Sequence, residues 1–566
     1  MRIFLLIFMM FIRSATAGMD SFTAVRSYLQ QLPENRPAST SFTDNKTRAI
    51  KSFMIHPSNR QKILGQAVLQ RPILPESYMS YISSAGHFKI HYTVAGDSAV
   101  DPTCTRVPGV PDYVWEAAEA AEYSYRILID TLGFDPPPID NENDPQTDIY
   151  ILNWNGITYA NTYPEDNVTA TVRPEDYTAY TVIDNDYSES NYATQGLDAL
   201  RVTIAHEFFH VVQLGYNWWH ANGLSGSGQG DEYFLEWSST WFEERAYPEV
   251  NDYVQYLNNF FYDPTKSLWS EYYSYSLGIF LTYLTKTLDE ETLVHRVWEK
   301  IKTNYALASL VEVIKEHGGD LTAFYNDFVR VCYYTGSRYD AVYSPFPDGS
   351  DFPELEFSEN CQGILENSLQ FQSSVNPFAA KPFLISFTGR HYVNLEITTE
   401  HNNQLVKSYL LNKPLLSDLH FQFNKETDIF LGETNPDDQL LIVLTNSNRD
   451  LVVAADLNLA VIENIYDIST KILFIYANPF TFKSQKPLTV VFQIPDFINQ
   501  ISVNLYNLRG QKILTKLSNP IDFAPGVNLL NLAASEFESR NVSSGVYILQ
   551  LIIDRKIMNR KITILN

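Results

Sequence analysis

Apolar positions follow two different periods along the chain, and the balance between them changes near residue 350. Upstream, both periods occur. His87 to Val94, Thr147 to Trp154 and Tyr177 to Asp184 read as strands. Asp112 to Leu132 carries apolar residues at helical spacing, with Glu116, Glu119 and Glu122 on the other side; Asp112 suits an N-cap and Gly133 a stop. Leu197 to Leu214 is apolar nearly all round, which predicts a buried helix. Helical spacing then dominates over 231–246, 251–262, 271–287, 289–302, 306–317 and 320–331. Strand, helix, two strands, helix is an α+β order.

Beyond 350 the helical period disappears. Leu440 to Thr445 and Leu451 to Leu457 flank the polar run Asn446-Ser447-Asn448-Arg449-Asp450, a hairpin signal. Ile501, Val503 and Leu505 alternate with Ser502, Asn504 and Tyr506, and Asn507-Leu508-Arg509-Gly510 predicts a turn. Val546 to Ile553 and Lys561 to Leu565 complete a set of strands. The expected organisation is multidomain: an α+β domain at 86–350, a β-domain at 351–465 and a β-sandwich at 466–566. Residues 18–85 form an N-terminal extension or a removable pro-region.

The first residues read as an export signal at 1–17. Arg2 precedes the apolar run Ile3 to Ile12, which is too short to span a bilayer, and Ala15-Thr16-Ala17 offers small residues for cleavage. No later stretch reaches 18 uncharged apolar residues, so no transmembrane segment is expected in the mature chain. The 566 residues carry 41 Lys and Arg against 66 Asp and Glu, a net charge of −25. That acidity argues against nucleic acid or an anionic membrane as partner. Cys104, Cys332 and Cys361 include no CxxC, which disfavours a thiolate metal site; one bridge can form, and the spacing does not choose the pair.

The chemistry concentrates at His206-Glu207-Phe208-Phe209-His210. On a helix, residues i and i+4 lie one turn apart on one face, so both imidazoles reach a single ion. Glu207 stands beside them, where a carboxylate accepts a proton from an activated water. The flanking Val202-Thr203-Ile204-Ala205 and Val211-Val212 bury this helix, and two His and a Glu are costly there unless a cation compensates.

A catalytic zinc needs a third protein ligand. A third histidine after a Gly fails, because Gln213 and Tyr216 occupy those positions. The helix at 231–246 offers acids instead. Glu236 is preferred, because an unpaired carboxylate amid Phe234, Leu235, Trp237 and Trp241 would be expensive. Thr240, one turn on, is placed to hydrogen-bond it. Glu243 and Glu244 read as a solvated helix end, Asp231 and Glu232 as first-turn acids, and His220 as a rival in the polar run before the Gly/Ser stretch 223–230.

HExxH on one helix with a Glu on the next resembles the gluzincin zinc metallopeptidases, of thermolysin-like fold. Residues 86–340 also resemble a bacterial group of secreted metallopeptidases, most closely over Leu197 to Gln213. The resemblance implies one catalytic zinc on His206, His210 and Glu236, with Glu207 as general base. It also implies an α+β, zincin-like catalytic domain followed by all-β sandwich domains. The 25 residues between His210 and Glu236 exceed the family's usual spacing, and the Gly/Ser insert absorbs the excess. Thr240 stands where the family usually has an Asp. Tyr275 resembles the Tyr that some gluzincins use as a phenol donor, against the alternative of a core Tyr among Tyr272, Tyr273 and Phe280.

Other features rank lower. Asp140-Asn141-Glu142-Asn143-Asp144, with Asp148 nearby, offers oxygens to Ca²⁺, but the EF-hand spacing and its Gly are missing, which favours a solvated loop. Asp184 and Asp186 read as turn residues, and His87 and His91 as exposed sheet histidines.

Towards the C-terminus, Asn478-Pro479-Phe480, the turn Tyr506 to Gln511 and Ser543-Ser544-Gly545-Val546-Tyr547, followed by Lys556, Arg560 and Lys561, resemble the sorting domain of type IX secretion substrates. The resemblance implies passage across the outer membrane by that machinery, to the medium or the cell surface. An ordinary β-sandwich for carbohydrate or protein contact is the alternative. The expected function is that of a secreted zinc endopeptidase acting on protein or peptide substrates through a metal-activated water. The alternatives are a non-catalytic surface adhesin on a peptidase scaffold and a metal-dependent hydrolase of non-peptide amides.

Overall fold

The computed structural model describes residues 71–565, apart from 73, 75–76, 140–143, 169–175, 222–230, 363–368, 388–390, 400–403, 412–419, 423–425, 435–437, 449–450, 462–469, 477–479, 482–486 and 539–541. The export signal at 1–17 and most of the 18–85 segment lie outside the described residues. The chain divides into two compact units. One runs to 355 except for 264–267 and 325–330; the other holds those two segments and 356–566. Mixed helices and several separate β-sheets make up the architecture. Among the described residues no helix is long and apolar enough to cross a membrane.

The first unit is built on a five-stranded sheet. Its strands are β1 (Met79–Ile82), β2 (Phe88–Tyr92), β3 (Thr147–Ile151), β4 (Ala160–Asn167) and β5 (Tyr177–Ile183), in the order β1-β2-β3-β5-β4. β2, β3 and β5 run parallel, while β1 and β4 are antiparallel edges. Every residue of β5 is buried, as a central parallel strand covered on both faces should be. β1 pairs with β2 along its length, so the sheet begins upstream of the boundary expected at 86.

Two helices lie on this sheet: α1 (Asp112–Tyr125), continued as a π-helical stretch to Thr131, and α2 (Gly196–Ala221). Phe208 of α2 meets Phe88 edge to face at 5.1 Å. Asp112 opens α1 with Pro111 at the cap; its carboxylate accepts instead from the backbone N–H groups of Thr105 (2.7 Å) and Arg106 (3.0 Å). α2 runs to Ala221, longer than the expected end at 214.

α3 (Glu232–Ala246) packs beside α2, with Phe209 against Phe242 at 5.5 Å. The expected helix at 251–262 is a 3₁₀ turn, Asp252–Tyr256, and the single turn α4 (Asn258–Phe261). The expected helix at 271–287 is also broken. A 3₁₀ turn spans Glu271–Tyr273, α5 covers Gly278–Leu288, and Tyr275 lies in the turn between them. α6 (Leu293–Ile301), α7 (Ala306–Glu316) and α8 (Leu321–Val331) follow. Gly278 permits the close approach of α5 to α3: a Cβ there would meet the Thr240 side chain at 3.0 Å and the Trp241 backbone nitrogen at 3.1 Å.

Among the described residues the second unit holds four sheets. β6 (Glu359–Gln362), β8 (Ala380–Ser386), β10 (Gln404–Leu411), β11 (His420–Gln422) and β13 (Gln439–Asn446) form one, in the order β11-β10-β13-β8-β6. β7 (Leu369–Val375), β9 (His391–Thr399), β12 (Glu426–Thr434) and β14 (Val453–Val461) form the next, in the order β12-β9-β14-β7. The hairpin expected over 440–457 is therefore not formed. β13 and β14 enter different sheets, and Asn446 holds the crossing by donating from its amide to the carbonyls of Val375 (3.0 Å) and Leu451 (2.8 Å).

The last hundred residues make a sandwich. β15 (Lys471–Tyr476), β17 (Leu488–Ile494) and β20 (Gly526–Leu532) face β16 (Phe480–Thr481), β18 (Ile501–Asn507), β19 (Lys512–Ser518), β21 (Gly545–Ile553) and β22 (Lys556–Leu565) across one apolar core. The expected turn is present: Gly510 has φ +79°, and Asn507 accepts through its side chain from the N–H groups of Arg509 and Gln511, both at 3.0 Å.

Asp184, at the end of β5, is fully buried, and its carboxylate accepts from the N–H groups of Trp154 (2.6 Å) and Tyr187 (3.3 Å). Burial pushes this carboxyl up to about 7, against about 3.9 for an unperturbed Asp. Between those values the folded chain keeps a proton that the unfolded chain has lost. The group's stabilisation is thus fully present below about pH 4 and is lost as pH rises through 7. Asp184→Asn is expected to flatten the fall in Tm between pH 5 and pH 8 by several degrees, at about 2–4 °C per kcal/mol. Calorimetry across that range checks it, and an unchanged slope would rule out this carboxyl as the cause.

Candidate metal centre

α2 is buried along 202–216, which places both histidines of the HExxH run inside the first unit. His206, Glu207 and His210 are 7%, 4% and 6% exposed, and Glu236, on α3, is 7% exposed. His206 Nε2 and His210 Nε2 lie 3.0 Å apart, and Glu236 Oε2 is 3.2 Å from the first and 3.6 Å from the second. A tetrahedral zinc with bonds of about 2.0–2.2 Å requires donor spacings of roughly 3.3–3.6 Å. Two sides of the triangle, 3.0 and 3.2 Å, fall a few tenths of an ångström short of that range and the third, 3.6 Å, reaches it, so small side-chain shifts seat one such ion.

Hydrogen bonds on the far side of each imidazole decide what this triangle presents. Gln213 Nε2 donates to the Leu235 carbonyl at 3.1 Å, which turns Gln213 Oε1 to His210 Nδ1 at 2.8 Å. Nδ1 must then carry the hydrogen, and the Nε2 lone pair points into the site. Glu243 Oε1 lies 2.5 Å from His206 Nδ1 and, when ionised, imposes the same tautomer. Burial pushes the Glu243 carboxyl up to about 7, and the contact with His206 opposes that rise. Two ring lone pairs and a carboxylate oxygen at these distances repel one another, and a divalent cation relieves all three.

Glu207 stands apart from the ligand triangle. Its Oε2 accepts from Thr162 Oγ1 at 2.7 Å, and Thr162 belongs to the edge strand β4. Thr181 Oγ1, on the neighbouring β5, lies 3.0 Å from the same hydroxyl. The Tyr275 ring is 6.0 Å from that of His206 and nearly parallel to it, and Tyr256 packs 5.0 Å from Tyr275. Asp252 is buried close by; it accepts from Gln255 Nε2 at 2.8 Å and Tyr159 Oη at 3.3 Å, and burial raises its pKa.

Several expectations are corrected here. Glu243 is no solvated helix end: it is 5% exposed and holds His206, because α2 covers that side of α3. Glu244 is half-buried, and burial raises its carboxyl to about 8. Thr240 does not serve Glu236. Its hydroxyl is buried with no hydrogen-bond partner, and its side chain faces Gly278. Asp231 accepts from the N–H of Ala306, at the start of α7, at 2.7 Å. The side chains of His220 and Glu232 lie outside the described residues.

The calcium expectation fares differently in its two parts. Residues 140–143 lie outside the described residues, while Asp144 and Asp148 are engaged by the chain's own cations. Asp144 accepts from Lys89 at 2.7 Å, and Asp148, 3% exposed on β3, faces Arg71 and His91. His91 is consequently buried, not exposed, while His87 bonds Glu122 at 2.6 Å. Oxygens of Asp184, Asp186 and Glu189 also lie within 4.8 Å of one another, but Asp184 is occupied by two backbone donors and Asp186 by the N–H of Ser188, as turn residues are. Cys104 is exposed and Cys332 buried, both as free thiols.

Gln213 is read from the sequence only as excluding a Gly, and Glu243 only as a solvated helix end. A buried amide inside an apolar helix is a signal in itself, because it must find partners. Glu243 shares a face with Glu236 two turns earlier.

Residues 77–330 match a family of unknown function, DUF6055. That match covers the sheet, both helices of the site and the helices up to α8. A comparison with the curated proteins finds no match. Solved structures give short, distant likenesses. PliG of Aeromonas hydrophila, a periplasmic inhibitor of g-type lysozyme, is 10% identical over 19% of this chain and 98% of its own, with a TM-score of 0.15. PorZ, a surface component of the type IX secretion system of Porphyromonas gingivalis, is 13% identical over 22% of this chain and 15% of its own, at 0.13. The adhesin domain of Epf from Streptococcus pyogenes is 10% identical over 35% of this chain and 77% of its own, at 0.12. No assignment of fold or function is drawn from them.

Proposed function

We propose that this chain is an exported zinc-dependent endopeptidase with a gluzincin-like centre in a zincin-like domain. The convergence of His206 Nε2, His210 Nε2 and Glu236 Oε2 within 3.6 Å carries this reading, because the hydrogen bonds to Gln213 and Glu243 turn both imidazole Nε2 atoms toward the Glu236 carboxylate. Zinc, when bound, supplies Lewis acidity toward water and toward a scissile carbonyl. The remaining work falls to the chain. Glu207 accepts a proton from the attacking water and returns it to the leaving amine. Thr162 orients that carboxylate through one of its oxygens. Tyr275, whose ring lies 6.0 Å from that of His206, is the phenol that donates to the developing oxyanion in this reading. The signal-like residues 1–17 support export, and the C-terminal motifs support delivery across the outer membrane by the type IX machinery to the medium or cell surface.

The test is loss and return of activity. Purified chain treated with phenanthroline is expected to lose casein or peptide-library hydrolysis, and stoichiometric zinc to restore it. A protein that binds one zinc but cleaves no peptide before or after reconstitution refutes the endopeptidase reading.

A further inference from the structure

The C-terminal sandwich turns one sheet face away from its core, and that face is organised in rows across the strands. Asn559 pairs with Gln550, Gln550 with Asn504, and Asn504 with Thr515, on β22, β21, β18 and β19. Their side chains form a continuous ladder. Gln550 Nε2 donates to Asn559 Oδ1 at 3.2 Å, Asn504 Nδ2 to Gln550 Oε1 at 3.2 Å, and Thr515 Oγ1 to Asn504 Oδ1 at 2.8 Å. Tyr506 Oη donates to the same Gln550 oxygen at 3.3 Å. Asn504 is only 4% exposed although it faces away from the core, so the ladder is fixed by its neighbours.

The row on one side holds Lys561 and Lys512 at its two ends, with Tyr506 next to Lys512. The Lys512 ammonium lies 5.8 Å from the Tyr506 ring centroid. The row on the other side ends in Ile557 and Leu517, 59% and 71% exposed. Charge sharpens the pattern. Residues 471–566 contain eleven Lys and Arg against five Asp and Glu, a net +6 within a chain of −25. A basic module on an acidic protein attracts an anion that the rest of the chain repels.

We propose that this face binds an acidic polysaccharide of the uronate type. The polymer lies along the ladder, across the strands. Neighbouring strands are about 4.8 Å apart, close to the length of one pyranose unit, so successive sugars meet the exposed Asn559, the half-buried Gln550 and, past the buried Asn504 that braces them, the exposed Thr515. Hydroxyls bond the amides, carboxylates face Lys512 and Lys561, and the C–H faces of the sugars cover Ile557 and Leu517. An acidic protein surface lacks that repeat and is the competing occupant.

Affinity electrophoresis of the full chain in gels containing alginate, neutral dextran or polyphosphate decides between these. Retardation is expected in alginate and not in dextran. The Lys512→Glu/Lys561→Glu double variant is expected to bind alginate at least tenfold more weakly, and Gln550→Leu several-fold more weakly. Asn559→Ala, at the exposed end of the ladder, serves if Gln550→Leu lowers the Tm. Absence of retardation by the wild type, equal retardation in polyphosphate, or unchanged binding by the lysine and ladder variants overturns the proposal. The outcome is independent of the metal centre.

Discussion

Glu207→Gln is expected to abolish peptide hydrolysis while leaving zinc content unchanged. The carboxylate lies next to His206 in sequence, but its Oε2 turns to Thr162 on β4 and is not one of the three converging donors. The amide keeps the size of the side chain and cannot accept the proton, so the loss should reach about 10²–10⁴-fold in kcat. His206→Ala, His210→Ala and Glu236→Ala should lose the ion and the activity together. Metal analysis and a fluorogenic peptide assay on the same preparations separate the two classes. Retained activity in Glu207→Gln would remove the general base from the mechanism.

Truncation of Glu243 is the second large effect. Its carboxylate reaches the centre through His206 Nδ1. Glu243→Ala should lower zinc affinity by about 10–100-fold, because His206 loses the acceptor that orients its ring and selects its tautomer. Glu243→Gln keeps an oxygen able to accept from Nδ1–H and should cost much less. Competition with a chromogenic chelator measures both. Equal losses in the two variants would mean that charge, not tautomer, is what Glu243 supplies.

Much of the centre was legible in the residues because its logic is local. The i, i+4 histidines need only a helix, and Glu236 is conspicuous among Trp and Phe neighbours. Glu243 was not legible, because Glu243-Glu244 before Arg245 has the composition of a solvated helix end. Its burial depends on α2, which is distant in sequence. Tyr275 was placed near the site but in the wrong element, since Tyr272, Tyr273 and Ser276 continue a helical pattern that the chain breaks with a turn. The strands at 440–457 show the same limit. Their alternation and polar link satisfy every local rule for a hairpin, but partner strands elsewhere in the chain claim each of them separately.

Gly278 has a consequence for the geometry around Glu236. Helix 278–288 rests against Thr240 and Trp241 so closely that an added methyl group would push those neighbours by a few tenths of an ångström, and they stand on the same helix as Glu236. The spacing between the carboxylate and the two imidazoles thereby depends on a residue that is not one of the three converging groups. Were a metal held there, the fit to its radius would depend on how closely these two backbones lie together.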